Sequence, residues 1–123
     1  MSKGYHTRQH RSEWNDSTNI FLSLFSDTTH TQCGIIVIRL FKGNNEGKAY
    51  LWNLHIDSEH RGKGNGRTLL HEAIDIARQA GCNKVTLEWD IRDSEQWVFD
   101  WYVREGFDEK EFGRKRALMQ MDL

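Results

Sequence analysis

Proline is absent from this 123-residue sequence, cysteine occurs only twice, and no apolar run is longer than several residues. Such runs are too short to cross a bilayer, and the polar N-terminus lacks the apolar segment of a signal peptide. Excess charge of one sign is missing as well, since 17 Lys and Arg oppose 18 Asp and Glu. This balance argues against nucleic acid or a membrane surface as the main partner. We therefore expect a cytoplasmic protein.

Metal-binding patterns are equally scarce. Cys33 and Cys82 lie far apart and form no C-x-x-C pair, so we expect both to be reduced. The six histidines form no H-E-x-x-H cluster, although His6 and His10 are four residues apart. We therefore predict no metal site. The chain is long enough for one domain with its own core, residues 1–123, in which 1–18 form a polar tail or an irregular edge segment.

Apolar periodicity predicts strands on both sides of a helix. The spacing of Leu70, Ala73, Ile74 and Ala77 indicates a one-sided helix that ends at Gly81. A strand on each side of such a helix makes the strand pair parallel or nearly so. The predicted strands are 19–25, 34–41, 49–56 and 83–89, with a closing hairpin formed by 107–112 and 116–121.

Two further patterns predict which side chains face the core. Alternation in the strand 49–56 predicts one core face and one partly polar face. The core set is Tyr50, Trp52, Leu54 and Ile56, and the other set is Leu51, Asn53 and His55. A second helix ends at Gly106, and its apolar stripe comprises Trp97, Val98, Trp101 and Tyr102.

A glycine-rich loop between the strand 49–56 and the first helix indicates an anion site. Gly62, Gly64 and Gly66 lie within five residues of each other. Glycines let the backbone turn tightly and approach a bulky group, while the N–H groups at the start of a helix attract phosphate. Arg61, Lys63 and Arg67 add three cations. The alternative interpretation is a glycine-rich surface turn with solvated charges.

The spacing of the loop excludes two common phosphate-binding motifs. The glycines do not form the dinucleotide pattern G-x-G-x-x-G, and Lys63 is followed by Gly64 where a P-loop requires Ser or Thr. The pattern Arg61-x-x-Gly64-x-Gly66 resembles the acyl-coenzyme A loop of the GNAT superfamily of N-acetyltransferases. A second segment, 101–107, resembles the family signature Phe/Leu-Tyr-x-x-x-Gly-Phe, with Tyr102 at the tyrosine.

The resemblance implies a fold, a cofactor and roles for individual residues. The fold is α+β, a mixed and mostly antiparallel sheet with a central splayed parallel pair and two main helices. Acetyl-CoA is the expected co-substrate, and Tyr102 would protonate the leaving thiolate. Glu88 is the first candidate for the base that deprotonates the amine, and His55 is the second. The expected cofactor contacts are Leu54, His55, Ile56, Arg61, Gly62, Lys63, Gly64, Asn65, Gly66 and Arg67.

The sequence departs from the family at two places. The family commonly has asparagine seven residues before the tyrosine, where this chain has Glu95. Many members also have a strand and two helices before the central strands, and about 18 residues are too few for that unit. We therefore expect a shallow, open acceptor site, suited to an amine on a protein or completed by a second subunit as a homodimer.

Two functions remain open at this point. The first is an acetyl-CoA-dependent N-acetyltransferase that acts on a primary amine of a protein, peptide or small molecule. The second is a catalytically silent acyl-CoA-binding or interaction module that kept the loop and lost the acceptor site. Tyr102 favours the enzyme, and the short N-terminus favours the module.

Overall fold

A computed structural model describes residues 4–43, 46–90, 95–113 and 116–123. These residues form seven strands and two main helices, with a 3₁₀ turn at Ser58–His60 before the first helix. The strands are β1 (Tyr5–Glu13), β2 (Ser17–Ser26), β3 (Gln32–Phe41), β4 (Lys48–Ile56), β5 (Lys84–Asp90), β6 (Asp108–Phe112) and β7 (Arg116–Asp122). The helices are α1 (Asn65–Gln79) and α2 (Gln96–Arg104).

All seven strands form one sheet in the order β1-β2-β3-β4-β5-β7-β6. Every neighbouring pair is antiparallel except β4 and β5, which are parallel and are connected through α1. The parallel register runs only from Lys48 and Lys84 to Leu51 and Leu87. Beyond it, both strands continue but are not paired with each other in the described part of the chain. The predicted fold class, including the splayed parallel pair, is confirmed.

Both helices cover the same face of the sheet. Leu70, Ala73, Ile74 and Ala77 of α1 are buried, as the spacing predicted, and Leu69 is buried with them. Gly81 follows the helix with φ 87°. They join one apolar cluster with side chains from the facing strands, among them Leu22, Ile36, Leu51, Val85, Leu87 and Trp89. The helix α2 packs against this cluster through partly buried side chains, and the ring of Phe99 lies 5.4 Å from that of Trp89.

The opposite face carries no helix among the described residues, and we call it the open face. The registers of the strands and the burial pattern place the following side chains on it: Phe21, Phe25, Ile35, Val37, Arg39, Tyr50, Trp52 and Glu88. Trp52 is 38% exposed, and the guanidinium of Arg39 lies 5.9 Å from its ring centre. Val37 is nevertheless buried, so the aromatic side chains partly cover the sheet themselves.

The polar N-terminal segment is a regular strand and not a tail. β1 pairs with β2 along its whole length, from Tyr5 and Ser26 to Glu13 and Thr18. An edge strand of a sheet is half solvated, so β1 needs none of the apolar alternation by which a strand is recognised. Three residues, 14–16, connect β1 to β2. The strand that we expected to be missing is therefore present, and this short connection leaves no room for two helices.

The predicted core face of β4 is wrong for Tyr50 and Trp52, which lie on the open face, and for Leu51, which is buried in the core. The alternation is also interrupted near the C-terminal end of the strand. Asn53 has φ 58°, and the pairing with β3 shifts register between Ile35 and Val37. One extra residue in a bulge reverses the faces of all residues that follow it. Ile56 consequently points into the core on the helix side, whereas Trp52 lies on the open face. The bulge also moves His55 to the open face, opposite Ile35.

Neither a membrane-spanning helix nor a metal-binding group was found in the described ranges. No α-helix there is both long and apolar enough to pass through a bilayer. No set of three or more His, Cys, Asp or Glu side chains converges there either. Cys33 and Cys82 are both free thiols.

Candidate functional site

A cavity of about 760 Å³ lies where β4 and β5 diverge. Its walls come from the end of β4, the glycine loop with the start of α1, and α2. The lining residues are Leu54, His55, Ile56, Arg61, Gly62, Gly64, Asn65, Gly66, Arg67, Glu95, Trp97, Val98, Trp101 and Tyr102. The structure thus brings the predicted cofactor contacts together on one side of the cavity, with Tyr102 on another. Lys63 is exposed on the same loop but does not line the cavity.

The backbone of the loop depends on glycine at two positions. Gly62 has φ 75° and Gly64 has φ 81°, a left-handed conformation that costs other residues about 1–2 kcal/mol. Gly64 is also the N-cap of α1 and accepts the first helical hydrogen bond, from the N–H of Thr68. The first N–H groups of a helix have no partner within it, and the cavity lies at this end of α1.

Side chains close the loop at both of its ends. Arg61 donates from Nε to the carbonyl oxygen of Ile56 at 2.7 Å, which fixes the loop to the end of β4. Asn65 is buried and donates from Nδ2 to the carbonyl oxygen of His60 at 3.0 Å. The hydroxyl of Tyr5 on β1 lies 2.9 Å from Nδ1 of His60. The edge strand that sequence analysis missed therefore supports the turn that precedes the loop.

A charged cluster connects α1 to the end of α2. Glu105 is only 11% exposed and lies 3.1 Å from Nε of Arg67, and it accepts a 2.7 Å hydrogen bond from Nε2 of His71. Burial alone would raise the pKa of Glu105, but the hydrogen bond from His71 and the charge of Arg67 outweigh it and lower the pKa. The carboxylate contacts Arg67 through Nε. The sequence motifs did not indicate this cluster.

Tyr102 lies on α2 between the cavity and the core. Its ring contacts Trp101 at 5.2 Å and Phe107 at 5.9 Å between ring centres. Burial raises the pKa of Tyr102 to about 12. The phenol therefore keeps its proton at neutral pH, which a proton donor requires.

The two candidate bases lie on the open face, and they differ in their contacts and in whether they line the cavity. Glu88 on β5 is absent from the cavity lining, and its Oε2 accepts a 3.2 Å hydrogen bond from Nη1 of Arg116. His55 lines the cavity at the end of β4, and its Nε2 lies 3.2 Å from Oδ1 of Asp57. The structure thus places one candidate on each of the two diverging strands, with the cavity reaching only His55.

The apolar stripe predicted for α2 is only partly a core stripe. Trp97 is 61% exposed, and no residue of α2 is fully buried. Instead Trp97, Val98, Trp101 and Tyr102 form one wall of the cavity, and Glu95 extends it. Periodicity identifies the apolar face of a helix but does not say whether that face meets a core or a cavity. Sequence analysis had no signal for this wall beyond the unusual pair of tryptophans one turn apart.

Comparison with known proteins agrees with this geometry. The sequence profile of the acetyltransferase (GNAT) family matches residues 3–107. No curated protein matches the chain. Among solved structures, PaiA N-acetyltransferase from Thermoplasma acidophilum in complex with coenzyme A is 26% identical, with a TM-score of 0.73. That match covers 85% of this chain and 61% of the PaiA chain, so this chain spans less than two thirds of it.

Two more distant structures show the same fold. An acetyltransferase of the GNAT family from Streptococcus pneumoniae is 23% identical with a TM-score of 0.71, covering 85% of this chain and 67% of the other. The NatC complex bound to Gag peptide and CoA is 19% identical with a TM-score of 0.72, covering 84% and 70%.

The family assignment rests on the profile match across most of the chain, on the parallel strand pair with its connecting helix, and on the glycine loop at the cavity. The predicted cofactor, coenzyme A, is confirmed by this assignment, because the structure of the PaiA relative is a complex with coenzyme A. The chain belongs to the acetyltransferase (GNAT) family.

Proposed function

We propose that this chain is an acetyl-CoA-dependent N-acetyltransferase that transfers the acetyl group to a primary amine by direct attack on the thioester. The observation that carries the proposal is one cavity lined both by the glycine loop and by Tyr102. In the proposal the glycine loop holds the phosphates, and Tyr102 in the wall formed by α2 is the proton donor. Acetyl-CoA carries phosphates at one end and a reactive thioester at the other, so it fits both.

The phosphates are held at the start of α1 in this proposal. N–H groups of the residues that begin the helix and the positive end of the helix dipole favour an anion there. Arg67 adds a guanidinium whose Nε is fixed by Glu105, so its outer nitrogens suit phosphate oxygens. Arg61 contributes mainly by closing the loop through the carbonyl of Ile56. The proposed contacts of this region are Arg61, Gly62, Lys63, Gly64, Asn65, Gly66 and Arg67.

The acyl arm passes between the diverging ends of β4 and β5. Leu54, His55 and Ile56 line the cavity where the parallel register has ended, and in this proposal a backbone N–H of this stretch donates to a ligand that continues the sheet. Such a donor polarises the thioester carbonyl and stabilises the charge that develops on its oxygen. The bulge at Asn53 sets which of these groups faces the arm.

The acceptor amine enters from the open face. Its nitrogen forms a bond to the acetyl carbon while the bond from that carbon to sulfur breaks. Tyr102 donates its proton to the departing thiolate, and a base accepts the proton that the amine loses. An alkylamine is mostly protonated at neutral pH, so the base or a water relay is also needed before attack. Glu88 is the proposed base, and His55 is the second candidate.

The acceptor is proposed to be an exposed amine on a protein or peptide. Only the short connection 14–16 joins β1 to β2, so no helix there encloses the acceptor side. An open surface admits a large substrate and gives a small one few contacts. Completion of this side by a second copy of the chain is the other way to form a closed site.

One observation favours a catalytically silent acyl-CoA-binding module instead. Glu88 is 40% exposed and is paired with Arg116, which in turn lies 3.9 Å from Asp90. The carboxylate proposed as the base is therefore engaged by a guanidinium, and it does not line the cavity. In this second function the chain binds the cofactor and presents its open face without turnover.

Acceptor-dependent thiol release separates the two functions. Calorimetry first establishes that coenzyme A binds, and release of free thiol from acetyl-CoA is then followed with a panel of peptides and small amines. Mass spectrometry of the acceptor should show an acetyl group on nitrogen. Binding without turnover on any acceptor would support the silent module, and absence of binding would overturn the proposed role of the loop.

A further inference from the structure

We propose that Trp97 is a stacking platform for the adenine ring of coenzyme A at the outer end of the cavity. The proposal rests on coenzyme A as the ligand of the cavity. It does not depend on transfer to an amine, so it holds equally for an enzyme and for a silent module.

Trp97 is a large apolar side chain that the core does not use. It is 61% exposed in the first turn of α2, yet it lines the cavity. Its orientation is held by a hydrogen bond of 2.6 Å from Nε1 to Oε2 of Glu95. An exposed indole with a fixed orientation presents a flat π-face at little cost in side-chain entropy, which is the requirement for stacking on a base.

The wall formed by α2 has an inner and an outer end. Tyr102 is largely buried and lies at the inner end with Trp101, whose Cη2 would lie 3.9 Å from a Cβ added at Gly66. Trp97 lies one helical turn farther toward the N-terminus of α2 and is far more exposed. A ligand whose thioester lies near Tyr102 therefore extends outward past Trp101, and its outer portion meets Trp97.

Charge separates the phosphates from the ring. Arg61 and Arg67 lie on the loop side of the cavity, whereas Glu95 lies on the side of Trp97. A carboxylate disfavours a phosphate beside it, but it accepts a hydrogen bond from an exocyclic amino group. Adenine carries such a group and a flat ring, so it fits the pair of Glu95 and Trp97 better than the pantetheine arm or a phosphate does.

The test compares three ligands by calorimetry on the purified chain. They are coenzyme A, dephospho-coenzyme A, which keeps the adenine and lacks the 3′-phosphate, and 4′-phosphopantetheine, which lacks the adenine. For Trp97→Ala we expect about tenfold weaker binding of the two adenine-containing ligands, because base stacking on an aromatic side chain has about this effect. Binding of 4′-phosphopantetheine should be unchanged, and Trp97→Phe should lie between the native chain and Trp97→Ala.

Trp14 provides the matched control, because it is 62% exposed and does not line the cavity. Trp14→Ala should bind all three ligands as the native chain does. Equal weakening of all three ligands by Trp97→Ala would overturn the proposal, since Trp97 would then act on the arm or on the shape of the cavity. Unchanged binding of all three would overturn it as well. Failure of the native chain to bind coenzyme A would reject coenzyme A as the ligand of the cavity. Absence of turnover would reject only the proposed acetyl transfer.

Discussion

At the scale of single residues, Tyr102 connects burial with chemistry. Its pKa is raised to about 12 by burial, above the value of about 10 for a tyrosine in an unfolded chain. The folded state therefore holds the phenolic proton more tightly. The stability that follows is fully present below about pH 10 and is lost as the pH rises through about 12.

Replacement of Tyr102 should remove this pH dependence. For Tyr102→Phe we expect the free energy of unfolding to fall less steeply between about pH 10 and pH 12 than in the native chain, because the raised pKa no longer contributes. Chemical denaturation at a series of pH values measures this. Equal slopes in both proteins would show that the phenol is not held in its protonated form by the fold.

The choice between the two bases is also a question about residues. If Glu88 accepts the proton of the amine, Glu88→Gln should lower kcat by about a hundredfold or more, since general base catalysis contributes that much. His55→Gln is the matched control on the other diverging strand and should leave kcat within about threefold, below what a general base contributes. Steady-state kinetics at saturating acetyl-CoA decides this, and the reverse pattern would assign the base to His55.

At the scale of elements, the glycine loop and the first turn of α1 require different backbone conformations at Gly64 and Gly66. Gly64 has φ 81°, whereas Gly66 lies inside the helix, and a Cβ there would make only ordinary contacts of 3.9 Å with Trp101 and 4.0 Å with Ile56. The two glycines look alike in the sequence but serve different purposes.

Alanine substitutions should separate these purposes. We expect Gly64→Ala to reduce the free energy of unfolding by about 1–2 kcal/mol, because the left-handed conformation is strained for alanine. Gly66→Ala should leave it unchanged or raise it by up to about 1 kcal/mol, because glycine is a poor helix former. Denaturation curves of both variants measure the difference. Equal destabilisation by both would mean that Gly66 is also required by the backbone.

The elements also show what the sequence can predict. Strands and helices with one buried face were predicted to within a few residues, because burial leaves a periodic record in α1 and β5. The bulge at Asn53 was missed, since the residues of β4 alternate without interruption and only the tolerance of asparagine for positive φ hints at it. β1 was missed because an edge strand needs no apolar face. Trp97 was assigned to the core because the helical spacing of apolar residues is the same for a cavity wall and for a core-facing stripe.

At the scale of the whole molecule, the sheet has one covered face and one open face. The glycine loop and Tyr102 lie on the covered side, and Glu88 lies on the open side, so the proposed reaction takes place between the diverging strands. The positions of the loop and of Tyr102 could be predicted because each belongs to a short sequence motif. The fold class could be predicted because these two motifs together resemble one family. The open face has no local motif, and the structure shows it through the registers of the strands and the three-residue connection between β1 and β2.

The open face raises the question of whether a second copy of the chain completes the acceptor site. If a second copy completes the acceptor site, light scattering should show a dimer, and turnover per chain should rise with protein concentration as the dimer forms. A protein that stays monomeric at high concentration and still turns over a peptide would rule out completion by a partner. It would leave the open site for a protein amine.

The most direct test of the central claim compares acceptor-dependent thiol release from acetyl-CoA in the native chain and in Tyr102→Phe, with the affinity for coenzyme A measured in both. We predict release in the native chain that requires one class of amine, and a fall of at least about tenfold in the variant, about 1.4 kcal/mol of barrier, with affinity preserved. Tight binding of coenzyme A by the native chain without release for any amine would contradict the claim of an N-acetyltransferase.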